Sequence, residues 1–146
     1  MGRTMAWRVE GRLNVVVHGP KSPTNLEWAR YLADLRVLKG TNFRAIVFSH
    51  GGGPDGAQRR QLTAAFDNEL KVPVALLTES ILVRGVVGAL RWFNPRFRAF
   101  GLNDMTEACS HLELSADERD RVRAIRSELE LELELAAPAA ARPTAP

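Results

Sequence analysis

The sequence is poor in cysteine, in long apolar segments and in charge of one sign, and each shortage excludes a class of protein. Cys109 is the one cysteine of the 146 residues, so the chain forms no internal disulfide, which is typical of a reducing cytoplasm. No apolar run approaches the ~20 residues of a membrane span, and the N-terminus lacks the apolar segment of a secretory signal. A net charge of +3 does not favour a nucleic-acid partner. We therefore expect a soluble cytoplasmic protein without a membrane partner.

The motifs of common catalytic and metal sites are missing as well. There is no G-x-x-x-x-G-K-[ST] phosphate loop in the sequence. Neither a pair of carboxylates nor a nucleophile with its base can be assembled convincingly. The three histidines are too far apart in sequence for a local metal motif, at His18, His50 and His111. We therefore expect no catalysis, no metal and no cofactor.

One motif of a catalytic site is present, but it is incomplete. Residues 50–53 read HGGG, like the oxyanion loop of esterases, and Ser80, Asp104 and His111 follow in the chain order of that class. The chemistry needs glycines on both sides of the nucleophile, and Ser80 has none. The helix-capping role of a serine is the interpretation that the spacing favours for Ser80.

Alternating strand and helix patterns fill the first 113 residues. The patterns predict strands over 4–9, 13–18, 43–49, 72–78 and 97–100, and helices over 24–39, 54–70, 81–93 and 104–112. The first two strands are close enough to form an antiparallel hairpin, and the later strands are separated by helices, as in parallel sheets. We predict an α/β domain over 1–114, with a mixed, mostly parallel five-stranded sheet flanked by helices.

Two helix starts and one helix face carry specific predictions. Thr24 with Glu27 spells a capping box, and Ser80 is the N-cap of the third helix. The third helix has a wide apolar face and three small residues that would allow close packing on the sheet. The apolar residues are Leu82, Val83, Val86, Val87, Leu90 and Phe93, and the small ones are Gly85, Gly88 and Ala89.

The C-terminal part differs in composition from the rest. Residues 1–114 carry 15 Lys or Arg and 10 Asp or Glu, whereas residues 115–146 carry 5 Arg and 7 Asp or Glu. Residues 128–135 alternate Glu and Leu, yet we predict a charged helix over 115–136, because Glu, Leu and Ala are strong helix formers and Arg126 can pair with Glu130. The helix either covers one face of its own domain or joins two copies as a homodimer. The Ala/Pro composition of 137–146 predicts a disordered tail.

The stretch from 43 to 70 reads as a buried strand, a glycine-rich turn and an amphipathic helix. Such a turn exposes backbone N–H groups at a helix N-terminus, where anions bind; a tight turn that needs positive φ is the competing interpretation. The candidate partner- or anion-binding residues are Ser49, His50, Gly51, Gly52, Gly53, Asp55, Arg59, Arg60, Ser80 and Arg84. If their strands are parallel, His18 and His50 also meet at the ligand-binding edge of the sheet, with Glu79.

A second candidate surface lies around the third helix and the last strand. Its basic residues are accompanied by Trp92, and arginine with an exposed aromatic ring is enriched at protein interfaces. Such a cluster can also hold nucleic acid through its phosphates. The competing interpretation is a solvated charged face with Trp92 on the core. The basic residues are Arg84, Arg91, Arg96 and Arg98.

The order of elements resembles the STAS-like domain family, which includes the bacterial anti-sigma-factor antagonists. The likeness covers residues 4 to about 113 and includes the last strand, 97–100, followed by a short helix over 105–112. The resemblance implies a small mixed sheet flanked by helices and regulation through protein–protein contact, without catalysis. The antagonists carry a phosphorylatable Ser or Thr where the helix after the third strand begins. Here that segment, 53–57, has no hydroxyl residue.

We therefore expect a non-catalytic intracellular regulatory module that binds a protein partner through the glycine-rich loop and the following helix. The alternative is a small anion- or nucleotide-binding protein that uses the loop from Gly51 to Gly56.

Overall fold

The computed structural model describes residues 2–92 and 94–136. Within that part of the chain, five strands form one mixed sheet in the spatial order β1-β2-β3-β4-β5. Their bounds are Met5–Glu10, Leu13–His18, Arg44–Ser49, Val74–Thr78 and Phe97–Phe100. β1 and β2 are antiparallel, and every other neighbouring pair is parallel. The predicted α/β fold with a mostly parallel five-stranded sheet is confirmed.

Five helices lie on the two faces of this sheet in the described ranges. They are α1 (Asn25–Leu35), α2 (Gly56–Ala65), α3 (Ile81–Leu90), α4 (Met105–His111) and α5 (Ala116–Ala136). The first helix ends earlier than predicted, because a 3-10 turn follows it over Arg36–Leu38. None of the helices described here is both long and apolar enough to cross a membrane.

Both predicted caps are confirmed. The Thr24 hydroxyl accepts the backbone N–H of Glu27 at 3.1 Å, and the Glu27 carboxylate accepts the N–H of Thr24 at 3.2 Å. Ser80 Oγ accepts the N–H of Val83 at 3.2 Å. These bonds satisfy N–H groups that the first turn of a helix leaves without partners.

One face of the sheet is fully packed, and α4 and α5 cover it. Alternate strand residues point to this face, and its buried members include Val15, Val17, Ile46, Phe48, Ala75 and Leu77. The helices contribute Ala108, Cys109, Leu112, Val122, Ile125 and Leu129. The predicted helix at the C-terminus is therefore confirmed, and it docks on the sheet of its own chain.

Charge also holds α5 against the sheet. Arg8 lies 2.6 Å from Glu128 and 3.1 Å from Glu132, and Arg12 lies 2.7 Å from Glu118. Basic residues of the 1–114 part of the sequence thus form ion pairs with acidic residues of the C-terminal helix in the same chain. The predicted tail over 137–146 lies outside the described residues.

The opposite face is covered by α1, α2 and α3, and less completely. Trp28, Tyr31 and Leu35 of α1 are buried against it. In α2, which the structure describes throughout, Gln58 is the one buried residue, and the helix ends at Ala65, five residues before the predicted end. The sheet therefore receives a tight cover from α1 and a loose one from the next two helices.

The packing predicted for α3 is wrong. Ile81 and Leu82 are each 84% exposed, and Val87 is the one buried residue of this fully described helix. A Cβ at Gly85 or Gly88 would meet no atom within 4 Å, so these glycines make no close contact with the sheet. The reason is that α3 packs against the edge strand β5 and stands off the middle strands. Phe93, assigned to the same apolar face, lies outside the described residues.

Candidate functional site

The carboxyl ends of β2, β3 and β4 meet at one edge of the sheet, as predicted. His18 is in register with Ser49, and Ser49 with Thr78. Ser49 is buried; its Oγ donates to Gly52 O at 2.6 Å and accepts from Gly51 N–H at 3.1 Å. Thr78 Oγ1 donates to Ser49 O at 3.0 Å and so ties the end of β4 to the end of β3. These hydroxyls fix the geometry of the edge.

The glycine-rich turn is fastened to the loop that follows β2. Gly51 has φ of 111°, a conformation that favours glycine. Gly52 N–H donates to Gly19 O at 2.8 Å, and a Cβ at Gly52 would lie 2.3 Å from Lys21 O. A Cβ at Gly53, in contrast, would meet nothing within 4 Å. Positive φ and close backbone contact thus account for the first two glycines.

The same turn offers few backbone groups to an anion. The N–H groups of His50, Gly51 and Gly52 donate to His18 O, Ser49 Oγ and Gly19 O within the protein. The N-terminus of α2 already holds a carboxylate, because Asp55 Oδ1 accepts from Gln58 N–H at 2.8 Å and Gln58 Oε1 accepts from Asp55 N–H at 2.9 Å. A phosphate cradle needs such groups free. The geometry therefore favours a tight turn.

The two histidines at the strand ends point to opposite faces of the sheet. His50 Nε2 lies 2.8 Å from Glu130 Oε1 of α5, and this hydrogen bond raises the pKa of His50. His18 points to the other face, where burial lowers its pKa to about 4. His18 pairs with Ser49, so His50 is one residue further along and alternation turns it away. The strand ends meet as predicted, but the imidazoles do not share a site.

The remaining predicted residues of this edge bind nearby backbone. The Arg84 guanidinium donates to Thr78 O at 3.1 Å, and Arg59 Nη1 donates to Pro54 O at 2.9 Å. Glu79 Oε1 accepts from Leu102 N–H at 2.8 Å. Arg60 is exposed. These groups surround the turn without converging on one point.

The residues of the esterase-like motif do not form a catalytic triad. Ser80 caps α3, Asp104 Oδ2 accepts from Gly101 N–H at 3.0 Å, and His111 Nε2 lies 2.7 Å from Arg96 O. Each side chain is therefore engaged with different backbone. Among the described residues, no group of three or more His, Cys, Asp or Glu side chains could hold a metal ion.

The second candidate surface is exposed. Trp92 is 90% exposed, so the interpretation that placed it on the core is wrong. Arg96 Nη1 donates to Lys71 O at 3.4 Å, and the Arg98 guanidinium lies 5.5 Å from the centre of the Phe100 ring. These basic groups are therefore held individually by their neighbours.

A cavity of about 660 Å³ lies between α1, α2, α3 and the loosely covered face of the sheet, and sequence reasoning missed it. Its walls are mainly apolar, and its polar lining includes Asn14, His18, Tyr31 and Arg59. Leu82 and Val86 line it although both are exposed, so the cavity opens to solvent beside α3. One signal was available: Asn14 and His18 are the two polar residues of the buried LNVVVH strand, and their even spacing puts both on one face.

Comparison with family models, with curated proteins and with solved structures finds no match. The sheet edge, the cavity and the exposed surface of α3 are therefore the features that can indicate a function.

Proposed function

We propose that the chain is a non-catalytic regulatory module that binds a partner protein through the glycine-rich turn, α2 and the adjacent start of α3. One observation carries the proposal: Ile81 and Leu82 are consecutive, each 84% exposed, and begin α3, separated by two residues from the end of β4. Val86 lies one turn beyond Leu82 and is also exposed. Scattered exposed apolar residues are ordinary, but a cluster of them marks interaction surfaces.

The turn and the start of α3 belong to one surface. The bond from Thr78 to Ser49 O joins the strand ends that precede them. The charged residues of the turn, of the loop over 19–22 that it contacts and of the starts of α2 and α3 are four basic and two acidic ones in the described chain. They are Lys21, Asp55, Arg59, Arg60, Glu79 and Arg84. An apolar patch surrounded by mainly basic residues fits a partner that has an apolar contact region and a mainly acidic rim.

The element order supports the STAS-like resemblance, and with it a regulatory role in a cytoplasmic setting. A homodimer through α5 has less support, because Val122, Ile125 and Leu129 are already buried against the sheet. The anion-binding alternative also has less support, because the N–H groups of residues 50–52 are engaged within the protein. We expect millimolar phosphate or nucleotides to leave the melting temperature unchanged; a rise would favour that alternative.

The proposal can be tested by site-specific crosslinking of the full chain in its source cells. A photoreactive phenylalanine derivative is placed at Ile81, at Gly53 or, as control, at Val37, which is 72% exposed in the 3-10 turn. We expect one and the same protein to be crosslinked from the first two positions and not from the third.

A pair of variants then measures the contribution of the patch. We expect Ile81→Glu to weaken the purified complex at least about tenfold, since it places a charge in an apolar contact, whereas Val37→Glu leaves affinity unchanged. A partner that binds Ile81→Glu as tightly as the native chain would refute the proposed surface.

A further inference from the structure

We propose that the cavity beneath α3 binds an elongated apolar carboxylate of the fatty-acid class, with its carboxylate at His18 and Arg59. The inference goes beyond partner binding, because it concerns the interior of the molecule and a small ligand. It depends on three features: the size and apolar walls of the cavity, the unpartnered polar atoms of two residues that line it, and the position of its charged lining residue.

The cavity has the dimensions and walls of a ligand site. Its volume of about 660 Å³ falls within the range of about 300–1,000 Å³ that is typical of small-molecule pockets. Its apolar lining comes from both the sheet and the helices and includes Val16, Val47, Leu62, Leu76, Val83, Val87 and Leu90. Water gains little there, because an ordered water needs two or more polar partners, whereas a hydrocarbon chain makes favourable contacts along every wall.

Two buried polar atoms at the cavity lack partners within the described chain. His18 is 3% exposed and its Nδ1 has no hydrogen-bond partner. Asn14 donates from Nδ2 to Tyr31 Oη at 2.7 Å, but its Oδ1 has no partner. Most buried polar atoms in proteins are hydrogen-bonded, so each exception calls for an explanation. A bound ligand with a polar head explains the atom on His18.

The two atoms belong to separate points of the cavity wall that β2 forms. Asn14 and His18 lie four residues apart on β2, which separates their Cα atoms by about 13 Å. The residue between them on the same face is Val16, which also lines the cavity. A ligand with its carboxylate at His18 would extend its hydrocarbon chain past Val16 toward Asn14.

The one permanent charge of the lining favours a carboxylate in the part of the cavity beside His18. Arg59 is the one lining residue with a permanent charge in the described chain. The guanidinium of Arg59 donates to Pro54 O, which follows the glycine-rich turn. That turn is bonded through Gly52 N–H to Gly19 O, and Gly19 is the residue after His18. Neutral imidazole retains one N–H donor, and with the guanidinium it can bind both oxygens of a carboxylate. A charge-assisted hydrogen bond is stronger than a neutral one, so an acid is preferred over an alcohol.

The test is isothermal titration calorimetry of the full chain with dodecanoic acid below its micelle concentration and with dodecanol below its solubility limit in water. We expect one acid per chain, bound about tenfold more tightly than the alcohol. Arg59→Gln should remove that preference. Absence of binding by the native chain, or equal affinity for acid and alcohol, would overturn the proposal.

A matched pair of variants locates the site. Val47→Phe adds a ring to the cavity wall, and Val37→Phe adds the same ring to the exposed 3-10 turn. We expect the first to weaken acid binding at least about tenfold, since an added side chain fills space the ligand needs, and the second to leave it unchanged. Equal affinity of both variants would place binding elsewhere and refute the cavity site.

A measurement on the native chain covers the case in which Val47→Phe does not fold. A dodecanoic acid with a nitroxide on its hydrocarbon chain is titrated while methyl NMR signals are recorded. We expect broadening of Val47 and Leu76, which line the cavity, and none of Leu131, which is exposed on α5. Broadening of Leu131 equal to that of Val47 would indicate adventitious surface binding and overturn the proposal.

Discussion

At the scale of single residues, Gly52 and Gly53 are neighbours in one turn with opposite surroundings. A methyl group at Gly52 would lie 2.3 Å from Lys21 O and 2.4 Å from Gly19 O, both backbone atoms, whereas one at Gly53 would meet nothing within 4 Å. We predict that Gly52→Ala lowers the free energy of unfolding by about 1–3 kcal/mol, because overpacking forces the backbone to shift. Gly53→Ala should stay within about 0.5 kcal/mol of the native chain. Urea denaturation checks both, and equal stability of the two variants would contradict the geometry of the turn.

This pair also decides which substitutions can probe the partner surface. A side chain at position 52 would displace the backbone of the turn, so its effect on partner binding could not be separated from its effect on the fold. A side chain at position 53 can be added without meeting another atom at its Cβ, which is why the crosslinking experiment uses this position.

His18 makes stability depend on pH in a defined window. Burial lowers its pKa from 6.5 to about 4 in the folded chain. Between these values the unfolded chain binds a proton that the folded chain does not, so the free energy of unfolding falls as pH drops. We predict a loss of about 2 kcal/mol between neutral pH and about pH 5, measured by urea denaturation. His18→Leu should remove most of this loss; an unchanged loss would show that other groups cause it.

His50 has the opposite effect, in the adjoining window that extends upward from its unfolded value of 6.5 to its raised folded-state pKa. Its hydrogen bond to Glu130 raises its pKa, so its contribution is present at low pH and disappears as pH rises through the folded-state pKa. His50→Gln should therefore enlarge the net loss on acidification from above that window to about pH 5. A smaller loss in this variant would contradict the assigned partner.

At the scale of elements, α3 combines an exposed first turn with one buried side chain. Ile81 is 84% exposed and Val87 is buried. We predict that Ile81→Ala changes the free energy of unfolding by no more than about 0.5 kcal/mol, whereas Val87→Ala costs about 1–2 kcal/mol. Thermal and urea denaturation of the isolated protein checks this contrast. A large cost for Ile81→Ala would mean that this side chain is buried in solution, which would contradict the exposed partner surface.

Local signals predicted the elements well, and the failures concern contacts between elements. Thr24, Glu27 and Ser80 act within one helical turn, so their caps could be read from adjacent residues. The burial of α3 could not, because it depends on where the helix crosses the sheet. An apolar face is expected in a packed helix and equally in a helix that lines a cavity or binds a partner.

The sheet edge shows the same limit. The parallel pairing that joins His18 and Ser49 followed from the alternation of strands and helices. The register did not, and the register decides that His18 faces the cavity while His50 faces α5. The cavity has no sequence motif of its own, since it is the space left by three helices.

At the scale of the whole molecule, α5 closes the sheet that the other helices leave half covered. Its buried residues Val122, Ile125 and Leu129 are fully enclosed. Burial of side chains of this size contributes about 1.5–3 kcal/mol each, which together is comparable to the net stability of a typical domain, about 5–15 kcal/mol. The segment that composition sets apart is thus energetically part of one core.

The alternating Glu–Leu run of α5 offers a matched test of whether the molecule is closed on itself. Leu129 is fully buried against the sheet, and Leu131, two residues later, is 52% exposed. We predict that Leu129→Ala costs about 2–5 kcal/mol and that Leu131→Ala costs no more than about 0.5 kcal/mol, with a melting temperature independent of protein concentration. In a homodimer joined through α5, Leu131 would be covered by the second chain. The melting temperature would then rise with concentration, and Leu131→Ala would abolish that rise, an outcome that would overturn the assignment of α5 to its own sheet alone.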